Sequence, residues 1–323
     1  MHSLPSTYPD ASHERDEWIV ARRGPRNTVD PYRPYAFFVE DERTADGEIA
    51  PVATVFLTDR ECPWHCLECD LWRNTLSEGV PAGAIPHQVE YALSRLPAAN
   101  QIKLYNSGSF FDPRAIPTGD HEAIAQCVGG FDRVIVESHP ALVGDACLRF
   151  RDRIRGRLEV AMGLETAHAE ILARLNKHMT LEMFAESARF LRENEIDLRA
   201  FILVKPPFMQ EAEAVEWAQR SVEFAFECGA TVATLIPTRG GNGAMDELTV
   251  AGDFSPPLLR TLERAFAQSL LLKKGRVFVD LWDAGKSRGC GICHEPRIAR
   301  LRAMNLEQRI ADAVTCSTCE ESE

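Results

Sequence analysis

Val52-Ala53-Thr54-Val55-Phe56-Leu57 leads through Thr58-Asp59-Arg60-Glu61 into Cys62-Pro63-Trp64-His65-Cys66-Leu67-Glu68-Cys69. The apolar run reads as a strand, and three thiols follow it within eight residues. Three thiols are one short of a closed site. Structural zinc takes four ligands, as does an iron–sulfur cluster whose only task is to carry electrons. A loop of three cysteines suggests instead a [4Fe-4S] cluster with one iron open to a small molecule, as catalytic metal sites keep a free position.

Downstream of this loop, short apolar runs alternate with longer amphipathic segments. Strands are expected near 52–58, 101–106, 133–137, 158–164, 198–204, 231–236 and 276–281. Helices are expected near 87–96, 120–127, 141–154, 168–175, 180–194, 210–228 and 255–273, with Thr180 and Ser255-Pro256 as opening caps. Such alternation gives an α/β fold with parallel pairing through right-handed crossovers. The number of units suffices for a partial or complete (β/α) barrel of parallel strands; a doubly wound open sheet has the same alternation.

Three regions follow. Residues 1–50 are polar, with Trp18-Ile19-Val20 and Tyr35-Ala36-Phe37-Phe38-Val39 as apolar islands, and read as an arm with one short strand or helix. Residues 51–284 form the core, and 285–323 a small C-terminal metal-binding appendage with a helix near 296–312. No stretch approaches the roughly 20 apolar residues that span a bilayer, and no export signal opens the chain, so a cytoplasmic protein without a membrane partner is expected. The net charge of −12 argues against broad affinity for a phosphate backbone. The basic run Arg149 to Arg157 reads as a solvated helix face, with an anionic-partner contact as the alternative. Seven of the ten cysteines are grouped as in metal sites; Cys127, Cys147 and Cys228 stand alone and read as small buried apolar residues.

Parallel α/β folds bind ligands at the carboxyl ends of their strands. Taken in order, those ends carry the cysteine loop, Tyr105-Asn106-Ser107-Gly108-Ser109, Glu137-Ser138-His139, Gly163-Leu164-Glu165-Thr166, Lys205-Pro206-Pro207-Phe208 and Pro237-Thr238-Arg239-Gly240-Gly241-Asn242-Gly243. Each has an ordinary explanation by itself, as a turn, a dipole-favoured carboxylate or a flexible loop. Polar groups at so many successive strand ends point to a catalytic mouth.

Cys62-x3-Cys66-x2-Cys69 after a first strand, followed by serial β/α units, resembles the radical S-adenosylmethionine (radical SAM) superfamily. His65 lies between two of the cysteines, where closing a fourth ligand onto the same metal would be strained. The segments Cys69-Asp70-Leu71-Trp72, Tyr105 to Phe110, Gly163 to Thr166 with Asn176-Lys177, and Lys205 to Phe208 with Glu211-Ala212-Glu213-Ala214 resemble more narrowly the archaeosine-biosynthesis radical SAM proteins and their bacterial relatives. These are similar in turn to the radical SAM part of the Elongator catalytic subunit.

The resemblance implies a [4Fe-4S] cluster on Cys62, Cys66 and Cys69, with S-adenosylmethionine on the fourth iron. One electron passes into the sulfonium, a C–S bond breaks, and a 5′-deoxyadenosyl radical takes a substrate hydrogen. It further implies that Asn106, Ser107 and Gly108 meet the methionyl amine, that Glu137 and Glu165 meet methionyl or ribose polar groups, and that Lys205 and Arg239 lie toward the substrate. A nucleoside, most naturally within tRNA, is the implied substrate, with a free small molecule as the alternative; a low-potential donor of the flavodoxin or ferredoxin type would supply the electron. A non-catalytic redox sensor is the reading from another class. One residue departs from the pattern: Glu68 stands where the superfamily usually places an aromatic or large apolar side chain near the adenine, which leaves Trp64 or Trp72 to provide that surface.

Cys290-x2-Cys293 and Cys316-x2-Cys319 have the paired spacing of treble-clef and ribbon sites. Four thiolates satisfy a structural zinc; a second iron–sulfur cluster is the rival, and His294 is surplus to either.

Overall fold

The structure, a computed structural model, describes residues 7–282 and 290–320. The expected boundary at 284/285 falls outside the described residues. The elements in chain order are α1 (Ser12–Val20), β1 (Ala36–Arg43), β2 (Ile49–Phe56), α2 (Ala84–Leu93), β3 (Gln101–Tyr105), α3 (His121–Cys127), β4 (Arg133–Glu137), α4 (Asp145–Arg151) and β5 (Arg157–Glu165). They continue with α5 (Ala169–Arg174), α6 (Leu181–Glu193), β6 (Asp197–Val204), α7 (Glu211–Cys228), β7 (Val232–Pro237), α8 (Ala244–Ala251), α9 (Leu259–Leu271), β8 (Arg276–Val279) and α10 (His294–Glu307).

The strands lie in sequence order in one sheet of eight; β1 is antiparallel to β2 and every later pair is parallel. Sequential order excludes the doubly wound sheet, whose strand order reverses at a switch point. The sheet is curled. Arg199 on β6 donates to Glu42 on β1 at 2.5 Å, although four strands separate them in the sheet and neighbouring strands lie about 4.8 Å apart. Arg276 on β8 donates to the Arg43 carbonyl on β1 at 2.8 Å, and Trp282 packs on Phe38 at 4.8 Å between ring centroids. The result is a curled half-barrel whose two edges are bridged by side chains.

Alternation along the strands separates two faces. Val55, Ile102, Leu104, Val134, Val136, Val160, Met162, Ala200, Ile202, Ala233, Leu235 and Val277 belong to the main apolar core that packs the helical layer. The opposite face is the barrel interior. Its closed end, at the amino ends of the parallel strands, is filled by Glu42, Lys103, Glu159 and Arg199, all buried. Lys103 donates to Glu42 at 2.6 Å and Arg199 to Glu159 at 2.7 Å. Burial alone would raise the Glu42 carboxyl; Arg199 and Lys103 hold it well below the usual carboxylate range.

Some local expectations shift. Thr180 caps α6 by accepting from Met183 N–H at 3.2 Å. Ser255-Pro256 does not open α9, which starts at Leu259, because the Ser255 side chain and carbonyl accept from Lys205 instead. The glycine-rich stretch after β7 leads into α8, which periodicity had not indicated. The basic run is not one helix face: Arg149 and Arg151 lie on α4, Arg153 and Arg155 in the turn after it, and Arg157 opens β5; Arg151 pairs with Asp152, Arg153 with Glu122 and Arg157 with Asp197. Among the described residues no helix is long and apolar enough to cross a membrane.

Candidate cluster and ligand site

At the open end, the carboxyl ends of the parallel strands, a cavity of about 250 Å³ is lined by Cys62, Cys66 and Cys69 together with Asn106, Ser107, Gly108, Glu137, Glu165 and Arg239. Strand ends far apart in sequence thus converge on the three-thiol loop. Lys205 is not among the lining residues. Its backbone is left-handed (φ 56°), and its Nζ bonds the Ser255 carbonyl at 2.8 Å and lies 3.1 Å from Glu211.

The thiols are half-buried, in surroundings that favour their neutral form. Burial pushes Cys62 up to about 11, Cys69 up to about 12 and Cys66 well above the ordinary thiol value. A coordinating metal would reverse this by deprotonating them outright.

The carboxylates around them behave alike. Glu137 accepts from Asn106 N–H at 3.1 Å, yet burial lifts its carboxyl to about 8. Burial and the charge of Glu165 lift Glu68 to about 8. Glu165 pairs with Lys177 at 2.6 Å. That pair folds back over Gly163: a Cβ there would stand 2.0 Å from Glu165 Oε1 and 2.5 Å from Lys177 Nζ, so a side chain at 163 would have to displace the pair. Glu165 itself is left-handed (φ 62°), as are Asn176 and His178, so unusual backbone conformations gather at this end of the barrel.

One contributor escaped the motif reading. Asp59, fully buried at the end of β2, accepts from Asn106 Nδ2 at 2.7 Å and Ser107 Oγ at 2.9 Å, and burial raises it to about 7. One amide hydrogen of Asn106 and the hydroxyl hydrogen of Ser107 are therefore spent on Asp59. Its position three residues ahead of Cys62, at a strand end, was the available signal. Trp64 lines the cavity and stacks on His139, 3.8 Å between centroids at 15°. His139 Nδ1 accepts from Ala141 N–H at 3.2 Å, which leaves Nε2 to donate to the Lys177 carbonyl at 3.0 Å. Trp72 is buried and packs with Arg23 and Arg73, and it is absent from the cavity wall, so of the two tryptophans it is Trp64 that faces the site.

The C-terminal cysteines also converge. The four sulfurs of Cys290, Cys293, Cys316 and Cys319 lie within 4.8 Å of one another and could hold a metal ion. Arg297 Nε approaches Cys293 Sγ at 3.2 Å, and Arg297 and Arg300 both bond the buried Glu263 of α9.

A curled half-barrel of parallel strands, with three thiols in the loop after the first parallel strand, is the radical SAM fold, and comparisons with known proteins support that relationship. No model of a known protein family matches the chain. The chain is 26% identical over 294 residues to archaeosine synthase subunit beta of Methanosarcina acetivorans, covering 85% of this chain and 84% of that one. It is 24% identical over 300 residues to an uncharacterized protein of Methanocaldococcus jannaschii, covering 88% and 82%. Among solved structures, methylornithine synthase (PylB) is similar with a TM-score of 0.55 and 13% identity over 80% of this chain and 70% of that one. Elp3 of Methanocaldococcus infernus follows with a TM-score of 0.51 and 12% identity over 68% and 59%. These structural likenesses speak to the fold.

Proposed function

We propose that this chain is a radical SAM enzyme acting on a nucleoside within tRNA. The observation that carries the reading is one cavity lined by three half-buried thiols together with Glu68, Glu137, Glu165 and Lys177, with the buried Asp59 bonded to the lining residues Asn106 and Ser107. The donor set fits a cluster of the kind the loop suggests. Cys62, Cys66 and Cys69 would hold it, and when bound it supplies a low-potential electron, which a flavodoxin- or ferredoxin-type donor would replenish.

The remaining residues suit S-adenosylmethionine, which brings a sulfonium and an ammonium into a site rich in carboxyl groups. Two buried acceptors in cavity-lining residues, Glu68 Oε2 and Asn106 Oδ1, have no partner within the protein and would accept from an ammonium or ribose hydroxyl. Glu137 and Glu165 would orient the same ligand. Trp64, held flat by His139, offers an aromatic face in place of the apolar residue that Glu68 replaces. Arg239, at the rim near Asp280 (3.8 Å), lies where an anionic part of a substrate would enter.

The tRNA assignment rests on the similarity to archaeosine synthase subunit beta proteins. At the C terminus, the Sγ–Sγ distances of 3.9 Å for Cys290–Cys316 and 3.6 Å for Cys293–Cys319 suit one zinc. A tetrahedral ion with Zn–S bonds of about 2.3 Å sets its sulfurs about 3.8 Å apart, whereas a four-iron cube would spread them further.

Anaerobic incubation of reconstituted protein with S-adenosylmethionine, a strong reductant and bulk tRNA tests the proposal. It should yield 5′-deoxyadenosine and a nucleoside of altered mass, and Cys66→Ala should yield neither. Iron-loaded wild-type protein that makes no 5′-deoxyadenosine would sink the enzymatic reading. 5′-Deoxyadenosine without change in the tRNA would move the substrate to a free small molecule.

A further inference from the structure

The cysteine loop is gripped from outside the cavity by residues that no motif assigned. Leu67, between the second and third cysteines, is fully buried in a separate apolar cluster with Tyr8, Trp18, Ile19, Met245, Leu248 and Phe254. Its N–H donates to the Leu175 carbonyl at 2.9 Å. Asn176 Nδ2 donates to the His65 carbonyl at 2.9 Å and to Asp16 of α1 at 2.7 Å. Asn242 Nδ2 donates to two carbonyls of the loop, Leu67 at 2.8 Å and Cys69 at 3.2 Å.

The orientation of the Asn242 amide is not arbitrary. Its Oδ1 accepts from Met245 N–H at 2.8 Å in the first turn of α8, which turns Nδ2 toward the loop. Asn242 is 3% exposed, and the flanking Gly241 (φ 96°) and Gly243 (φ 89°) let the chain double back to present it. At Gly243 a Cβ would stand 1.9 Å from the Arg22 carbonyl, so the N-terminal arm closes directly over this turn.

We infer that Asn242 is a positioning residue for the cluster, holding the backbone on both sides of Glu68 so that the second and third thiolates keep their spacing. The inference rests on the proposed assignment of a cluster to Cys62, Cys66 and Cys69. Partners of this kind orient metal ligands, and their loss typically costs about 10- to 100-fold in metal affinity. The residue has two separable jobs. One is a helix-capping acceptor, which any fold could use; the other is a donor to two loop carbonyls, which matters to the cluster.

Asn242→Asp separates them. The carboxylate keeps an oxygen for Met245 N–H but sets its other oxygen against the Leu67 and Cys69 carbonyls with no hydrogen between. Without metal the protein should keep its circular dichroism spectrum at a lowered melting temperature, since the buried carboxylate faces two carbonyls. After reconstitution it should lose iron to a chelator at least about tenfold faster than wild type, and the reduced cluster should show a shifted or broadened electron paramagnetic resonance signal. Asn242→Ser covers the case in which the aspartate variant does not fold. Its hydroxyl can serve one partner at a time, and a lifetime between those of wild type and Asn242→Ala is expected. Wild-type iron retention and an unchanged resonance signal in a folded Asn242→Asp or Asn242→Ser protein would overturn the inference. Failure of wild-type protein to take up iron would instead strike the cluster assignment.

Discussion

At the closed end of the barrel, Glu42, Lys103, Glu159 and Arg199 are buried in a network in which each carboxylate has a cation within hydrogen-bond distance. At the open end, Glu68, Glu137 and Glu165 line the cavity with Lys177, which is bonded to Glu165, and Asp59 accepts from Asn106 and Ser107 beside it. Both ends take charge out of water, and burial pushes carboxyl groups up at each. At the closed end the guanidinium and ammonium groups overcome that push, so Glu42 stays ionised. At the open end they do not, and Asp59, Glu68 and Glu137 rise to about 7, 8 and 8. The closed end is complete within the protein, whereas on the proposed reading the open end is completed by what binds there. Polar burial would then serve closure of the sheet in the first case and chemistry in the second.

The largest effect should come from breaking the closed end. Arg199→Leu leaves Glu42 and Glu159 buried without their shared partner and should cost about 3–5 kcal/mol, read from the denaturant midpoint of the metal-free protein. A near-neutral result would mean that this network does not hold the sheet curled.

Next in size is removal of metal from the C-terminal cysteines. Asn305 of α10 and Gln308 just beyond its end exchange hydrogen bonds with the backbone of Val279 and Val277, acting as a substitute strand on the free edge of β8. Chelation should therefore lower the melting temperature by several degrees, with one zinc released per chain by elemental analysis. An unchanged melting temperature after zinc loss would separate that site from barrel closure.

A smaller effect distinguishes the two ends by pH. A carboxyl whose pKa is raised on folding stabilises fully below its unfolded value and loses that contribution as pH rises through the folded value. For Glu137 this window runs from the ordinary glutamate value of 4.5 to about 8. Glu42 has the opposite sign, with its contribution present above 4.5 and lost in acid. The melting temperature of cluster-free protein should thus fall from about pH 6 to about pH 8, and Glu137→Gln should flatten that fall. A steeper fall in the variant would contradict the assignment. The smallest effect lies away from both ends: Thr180→Ala removes the α6 cap and should cost about 1 kcal/mol while leaving iron uptake unchanged.

The barrel was legible because parallel strands on this scaffold bury an apolar outer face, and Val134, Val136, Val160 and Leu235 announce it. The inner face was not legible. Glu40 and Glu42 lie in β1 and turn to Lys103 across the barrel, so a strand that looked like a short apolar island runs on through Arg43. Charged residues are depleted in strands, and only the curl of the sheet supplies their partners. At the open end, strand-end logic brought Asn106, Ser107, Gly108, Glu137, Glu165 and Arg239 to the wall of the thiol cavity. It put Lys205 toward the substrate; that residue has a left-handed backbone, and its ammonium bonds Ser255 and lies near Glu211. Asn176 and Asn242 act through carbonyls of a loop more than one hundred residues earlier, a contact that local pattern does not encode.

The most direct measurement is low-temperature electron paramagnetic resonance of anaerobically reconstituted, reduced protein carrying about four irons on the N-terminal loop, recorded with and without S-adenosylmethionine. With Cys62, Cys66 and Cys69 as the cluster ligands and the fourth iron open, adding S-adenosylmethionine should change the signal, and Cys66→Ala should give no such cluster. A four-iron signal that is identical with and without S-adenosylmethionine would contradict an open end completed by that ligand.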